Sequence, residues 1–234
     1  MGIARNLTVA EVLDQVLSAG QLLATEGKKM RNVVFMGMGE PFHNEPTLFE
    51  AIDRLCSPEY FDFSPSRILV SSVGVADGML RLAERFPRVH QALSLHSTRQ
   101  QTRKELMPLA ARYPVDELRR TVQRLNSIQD CPVLLEYLLL GEVNDSDEDA
   151  RELVEWTRGL STHINLIPYN PIDGADDLKP SSRTAQFSEL LKDAGRTVTT
   201  RKSLGRDIAA ACGQLVQSEN RRIARELHNI DEVV

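Results

Sequence analysis

The stretch NVVFMGMGEP, residues 32–41, carries the pattern that decides the fold. Residues 32–36 form a short β-branched and apolar run without polar alternation, and glycines end it at Gly37 and Gly39. A run of that length, closed by turn residues, reads as a buried strand. Ahead of it, Thr8 and Glu11 stand three apart in a capping-box pattern. Val9, Val12, Leu13, Val16, Leu17 and Leu23 then recur at helical spacing. A helix leads into a strand, and the same pair repeats down the chain.

Working outward, helices are expected near 47–55, 76–86, 115–125, 147–158 (opened by Ser146) and 185–193. Strands follow them at 67–72, 90–97, 133–140, 163–171 and 197–202, and QLVQSENRRIARELHNI at 214–230 reads as a last helix. Alternation of helices with short, nearly continuous apolar strands implies right-handed βαβ units and a parallel sheet of six strands. The longest loop, NPIDGADDLKPSS at 170–182, is rich in Pro, Gly, Asp and Ser.

The bulk composition narrows the class. A chain of 234 residues, 41% hydrophobic and 26% charged, suits one soluble domain, or one domain and an appendage. The longest apolar runs, such as PVLLEYLLL at 132–140, are too short to span a membrane, and MGIARNLTVAEV has no apolar signal core, so a cytoplasmic location is expected. Cys56, Cys131 and Cys212 are odd in number and far apart, which argues against a disulfide framework and fits a reducing compartment. The five histidines have neither HxH nor HExxH spacing, and there is no CxxC, so no metal site is self-evident. A net charge of −5 is a poor start for nucleic-acid binding. RTVTTRKSLGR at 196–206 and RRIAR at 221–225 are basic nonetheless, and charge alone favours a solvated surface there.

In parallel α/β proteins ligands sit beyond the carboxyl ends of the strands. GMGEP (37–41), SSVG (71–74), SLHS (94–97) and PYNP (168–171) each close a strand, so four strand ends converge on one rim. Each has a plain alternative. Gly37 and Gly39 suit a turn, Ser71 and Ser72 a helix cap, His96 a satisfied interior position, and Asn170 a turn before proline. Taken together, the glycines expose backbone to a ligand and Glu40 offers an acceptor to an ammonium group. With no Walker lysine and no GxGxxG, the lining suits a zwitterionic, adenosine-bearing ligand better than a phosphate. A separate question is Cys212 in DIAAACGQL (207–215): among alanines and beside Gly213 it reads either as a small buried hydrophobe or as a nucleophile on a loop.

In order, NVVFMGMGEP, SSVG, ALSLHS, LLEYLLLGEVND, INLIPYNP and RKSLGRDIAAACGQL resemble the RlmN/Cfr family of radical S-adenosylmethionine RNA methyltransferases, from Arg5 to Leu215. The resemblance implies an open, partial (β/α) barrel with parallel strands, N-terminally truncated, spanning 1–202. A C-terminal segment, 203–234, carries a cysteine loop and a terminal helix. It implies S-adenosylmethionine and a [4Fe–4S] cluster as cofactors, with Gly39, Glu40, Ser71, Ser94, Leu95, His96 and Asn170 at the S-adenosylmethionine. Cys212 matches the catalytic cysteine that becomes S-methylated, and whose methyl carbon, as a radical, adds to an adenine ring. The implied substrate is 23S rRNA, at carbon 2 of an adenine, with tRNA as a second candidate. An electron donor, a monomeric state and no membrane complete that picture. Aromatic ring carbons of adenine are poor nucleophiles, so radical chemistry supplied by a cofactor fits the task.

The chain departs from the family at its start: the CxxxCxxC loop that holds the cluster is absent, the family's preceding strand, resolving cysteine and N-terminal RNA-binding domain would lie further upstream still, and Cys56 and Cys131 match none of the missing cysteines. They read as structural. Either the start is misplaced and the protein is longer, or this is a truncated, non-catalytic paralogue that binds S-adenosylmethionine or RNA. The chain as given is expected to be inactive alone.

Overall fold

The computed structural model describes residues 5–37, 39–171 and 178–201. Six strands make one sheet: β1 (Val33–Phe35), β2 (Ile68–Ser72), β3 (His90–Ser94), β4 (Val133–Leu139), β5 (Thr162–Pro168) and β6 (Val198–Thr200). They lie side by side in chain order, and every neighbouring pair is parallel. Crossovers of one hand between sequential parallel strands put the connecting helices on one face. Among the described residues β1 and β6 are unpaired edges, so the sheet is an open, partial (β/α) barrel.

The helices are α1 (Val9–Thr25), α2 (Glu45–Cys56), α3 (Ala76–Arg85), α4 (Gln100–Leu106), α5 (Val115–Ile128), α6 (Asp147–Trp156) and α7 (Thr184–Asp193). The expected capping box opens α1: Glu11 N–H donates to Thr8 Oγ1 at 3.3 Å and Thr8 N–H to Glu11 Oε2 at 2.8 Å. Ser146 and Asp149 build a second at α6. The core lies between sheet and helices. Ile68, Val70, Leu93, Leu135 and Tyr137 meet Ile52, Met79, Leu82, Leu118, Leu125 and Phe187 there, all nearly inaccessible. Alternate strand residues, such as Leu69 and Ser71 on β2, face the opposite, inner side.

The structure adds and trims elements. α4 was not expected, because QQTRKEL shows no apolar period; its buried residue is Arg103. A 3₁₀ turn, Pro41–Asn44, follows Glu40. β3 stops at Ser94, short of the expected 97. Leu95 and His96 both turn their N–H groups to the Glu136 carbonyl, at 3.1 Å each, and His96 is left-handed at φ 56°. The expected last helix and the segment 203–234 lie outside the described residues.

Candidate active site

The strand ends meet as the sequence motifs suggest, and the loops between them are tied by long-range bonds. After β1 the backbone passes through Gly39 at φ 89°, a left-handed value that favours glycine. Glu40 is buried, and its carboxylate accepts from Phe42 N at 3.3 Å and from Val73 N at 2.8 Å. The loop after β1 is thereby stitched to the loop after β2. Phe42 packs on α3 where Gly78 leaves room; a Cβ at 78 would stand 2.6 Å from the ring's Cγ. Held in this way, Glu40 keeps further lone pairs for an incoming N–H donor.

The two serines of SSVG divide their roles. Ser72 Oγ accepts from Gly74 N at 2.9 Å and Val75 N at 3.1 Å, shaping the turn into α3. Ser71 faces inward, its Oγ 3.4 Å from Ser94 Oγ on the neighbouring strand. Leu95 is wholly buried. Beneath this rim lies Arg103, also with no exposed surface. Its guanidinium donates to the carbonyls of Leu95 (3.1 Å), Tyr113 (3.1 Å), Ser94 (3.2 Å) and Val73. Burial lowers its pKa to about 10, so it remains charged at neutral pH. This one side chain braces the ends of β2 and β3.

His96 is held as a neutral imidazole. Its Nδ1 accepts from Leu138 N at 3.0 Å, which puts the ring proton on Nε2, and Nε2 has no partner among the described residues. Burial, then the nearby charge of Arg103, pushes the pKa down to about 4. Asn144 locks the backbone here. Its Nδ2 donates to the carbonyls of His96 (2.6 Å) and Leu138 (2.8 Å), while its Oδ1 accepts from Leu140 N at 2.8 Å. Asn170 lies buried just past β5, beside Tyr169, whose buried hydroxyl has no protein partner among the described residues.

Glu40, Ser71, Ser94, Leu95, His96 and Asn170 thus all stand at carboxyl strand ends or the loops just beyond them, with Gly39 at the turn. Cys212, Lys202, Arg206 and the arginines at 221–225 lie outside the described residues. Cys56 and Cys131 are half-buried, and burial raises both thiol pKa values, which fits their structural reading. Among the described residues no group of three His, Cys, Asp or Glu side chains could hold a metal ion, so these residues do not fit an iron–sulfur cluster. No described helix is long and apolar enough to cross a membrane. Sequence reading missed Arg103 and Asn144. LLEYLLLGEVND contains Asn144, but without an assigned role.

Six parallel strands in chain order, with the candidate residues at their carboxyl ends, make a partial (β/α) barrel of the kind seen in radical S-adenosylmethionine enzymes. A solved radical SAM methyltransferase from Sphaerobacter thermophilus superposes with a TM-score of 0.88 at 40% identity, over 92% of this chain and 63% of that one. A domain of pyruvate-formate lyase-activating enzyme from Bacteroides vulgatus shares the fold alone, at 20% identity and a TM-score of 0.55. No family model matches the chain. Among curated proteins, a probable RNA methyltransferase of Rhodopirellula baltica is 50% identical over 228 residues, 97% of this chain and 60% of the relative. A probable dual-specificity RNA methyltransferase RlmN of Thermus thermophilus is 41% identical over 216 residues, 92% of this chain and 61% of the relative. Over more than nine tenths of its own length the chain is similar to RlmN-type RNA methyltransferases and to a radical SAM methyltransferase, and it spans about three fifths of the length of these relatives.

Proposed function

We propose that this chain is the S-adenosylmethionine-binding core of an RNA methyltransferase. Its target is an adenine ring carbon, carbon 2, of 23S rRNA, with tRNA as a second substrate. The observation that carries the reading is the rim itself: seven candidate ligand residues at the strand ends and the turns just beyond them, in a fold shared at 40% identity with a radical SAM methyltransferase.

Gly39, Glu40, Ser71, Ser94, Leu95, His96 and Asn170 are the residues assigned to hold S-adenosylmethionine, which when bound supplies a methyl group on a sulfonium. Glu40, fixed by two backbone amides, accepts from the methionyl ammonium. The Ser71 and Ser94 hydroxyls suit the sugar. His96 presents a neutral Nε2–H donor rather than a second positive charge, which suits a cationic ligand. Cys212 is assigned as the methyl carrier, with the basic residues around it as RNA phosphate contacts. Electron delivery and cluster binding are assigned to none of the described residues.

The test has two stages. Calorimetric titration of the chain with S-adenosylmethionine is expected to show saturable one-to-one binding, weakened by Ser94→Ala. No saturable binding would sink the reading. A chimera joining this chain to the remaining two fifths of the Rhodopirellula relative is then expected to methylate RNA and to carry an extra methyl on the peptide containing Cys212. Cys212→Ala in the chimera is expected to abolish methylation while retaining cofactor binding. Methylation by the alanine variant would show that the carrier is another residue.

A further inference from the structure

On the inner face of the sheet, Ser94, Glu136, Asn165 and Thr199 occupy one lateral row, each the direct partner of the next across β3, β4, β5 and β6. Three of them are joined to His163 in one chain of hydrogen bonds. His163 Nε2 lies 3.0 Å from Thr199 Oγ1, Thr199 Oγ1 donates to Asn165 Oδ1 at 3.3 Å, and Asn165 Nδ2 donates to Glu136 Oε2 at 2.8 Å. Glu136 is 2% exposed, in mid-strand. It makes no ion pair with any described residue, and its Oε1 accepts no hydrogen bond from one. A buried carboxylate held by a single amide is costly to a fold. Nothing in the packing of β4 needs it, since Leu135 and Tyr137 carry the core side of the strand.

We propose that Glu136 and Asn165 form a subsite that reads the exocyclic amine of an adenine ring. The inference rests on the cofactor- and RNA-binding reading above. With Asn165 Oδ1 engaged by Thr199, its Nδ2 is turned to Glu136, so the pair presents only an acceptor. The matching ligand group must be a donor. Leu134 and Leu138, two residues either side of Glu136 on the same face, are half-buried and offer apolar surface to a flat ring. A sugar would instead want a cluster of hydroxyl partners, which Ser94 in the same row and Ser71 beside it offer. Burial raises the carboxyl pKa, partly offset by the Asn165 hydrogen bond and the charge of Arg201, so an incoming N–H relieves an unfavourable state. Adenine occurs both in S-adenosylmethionine and in RNA, and the two sources are separated by experiment.

Glu136→Gln is isosteric. Asn165 Nδ2 draws the glutamine carbonyl to the Oε2 position, which leaves the amide NH₂ where Oε1 stood. The acceptor becomes a donor, and preference moves from an amine to a carbonyl on the ring. Calorimetry on the whole chain compares S-adenosylhomocysteine with its deaminated form, S-inosylhomocysteine, and an RNA hairpin bearing adenosine with one bearing inosine at the same position. In the arm that owns the adenine, the amine-to-carbonyl affinity ratio is expected to fall at least about tenfold from wild type to Glu136→Gln, the scale of one charge-assisted hydrogen bond. Glu136→Leu is expected to bring that ratio near unity, with thermal melting confirming that both variants fold. A ratio unchanged within about twofold in both arms, in folded variants, would overturn the subsite while leaving the cofactor reading intact. A wild-type chain that binds none of the four probes would instead remove the functional reading, and the subsite with it.

Discussion

The Asn144 side chain donates to the His96 carbonyl at 2.6 Å across 48 residues of sequence, and so holds a left-handed histidine at the rim of the sheet. Asn144→Ala leaves three backbone groups of His96, Leu138 and Leu140 without this partner. Each buried group so orphaned costs about 1–3 kcal/mol. The variant is expected to lose about 3 kcal/mol or more in urea unfolding, with S-adenosylmethionine binding weakened in the fraction still folded. A loss below about 1 kcal/mol would mean that the rim is held by other bonds.

Arg103 is a buried cation whose partners are carbonyls rather than a carboxylate. Arg103→Met removes every donor at once, leaves four carbonyls without this partner, and is expected to destabilise the chain by about 3 kcal/mol or more. Arg103→Lys keeps the charge but lacks the planar fork that reaches β2 and β3 together. It is expected to fold, melt lower and bind S-adenosylmethionine more weakly at a temperature where it is fully folded. Unchanged affinity in that variant would reduce Arg103 to a stability role.

Gly78→Ala tests the seat of the Glu40 loop. The new methyl would lie 2.6 Å from both Cγ and Cδ1 of Phe42 and 2.9 Å from its Cβ, atoms that cannot swing away without moving the backbone after Glu40. Helix propensity favours alanine by about 0.8–1 kcal/mol, whereas overpacking costs about 1–3 kcal/mol. Net destabilisation is expected despite the better helix former, and a raised melting temperature would show that Phe42 is free to move.

His96 makes stability depend on pH with a definite sign. Its folded pKa, about 4, lies below the ordinary value of 6.5, so the folded chain keeps it neutral while the unfolded chain takes up a proton first. Stability is therefore full above about pH 6.5 and falls as pH drops toward 4, by up to about 1.4 kcal/mol per unit in that window. His96→Asn is the matched control, because Asn Oδ1 stands where Nδ1 accepts and asparagine tolerates the left-handed backbone. The stability difference between wild type and His96→Asn is expected to move against the wild type between pH 6.5 and 4. A pH-independent difference would mean that the ring is solvated.

Anaerobic reconstitution of the chain with iron and sulfide is expected to yield no stoichiometric [4Fe–4S] cluster. Cys56, Cys131 and Cys212 are too widely separated in sequence to form a CxxxCxxC loop, and Cys56 and Cys131 are half-buried at a helix end and before a strand. A cluster Mössbauer signal on the purified chain would refute this.

Local pattern in the sequence determined the alternation of helices with strands, the parallel open sheet, and the placing of Glu40, Ser71, Ser94, His96 and Asn170 at strand ends. The buried strand expected at 32–36 is instead an edge strand among the described residues, with Val34 54% exposed, because β1 has a partner on one side only. Those properties repeat every two or 3.6 residues, so a short window contains them. The motifs also carried the family resemblance. Only the tertiary structure decided how those residues are held and which others serve them. α4 lacks an apolar stripe and is anchored by an arginine, so no window marks it. Glu40 meets Val73 across 33 residues, Arg103 meets Val73 across 30, and Glu136 meets Asn165 across 29. A polar residue in mid-strand reads the same whether it is strained or satisfied; which it is depends on the register of the neighbouring strand, set by packing of the whole sheet against its helices.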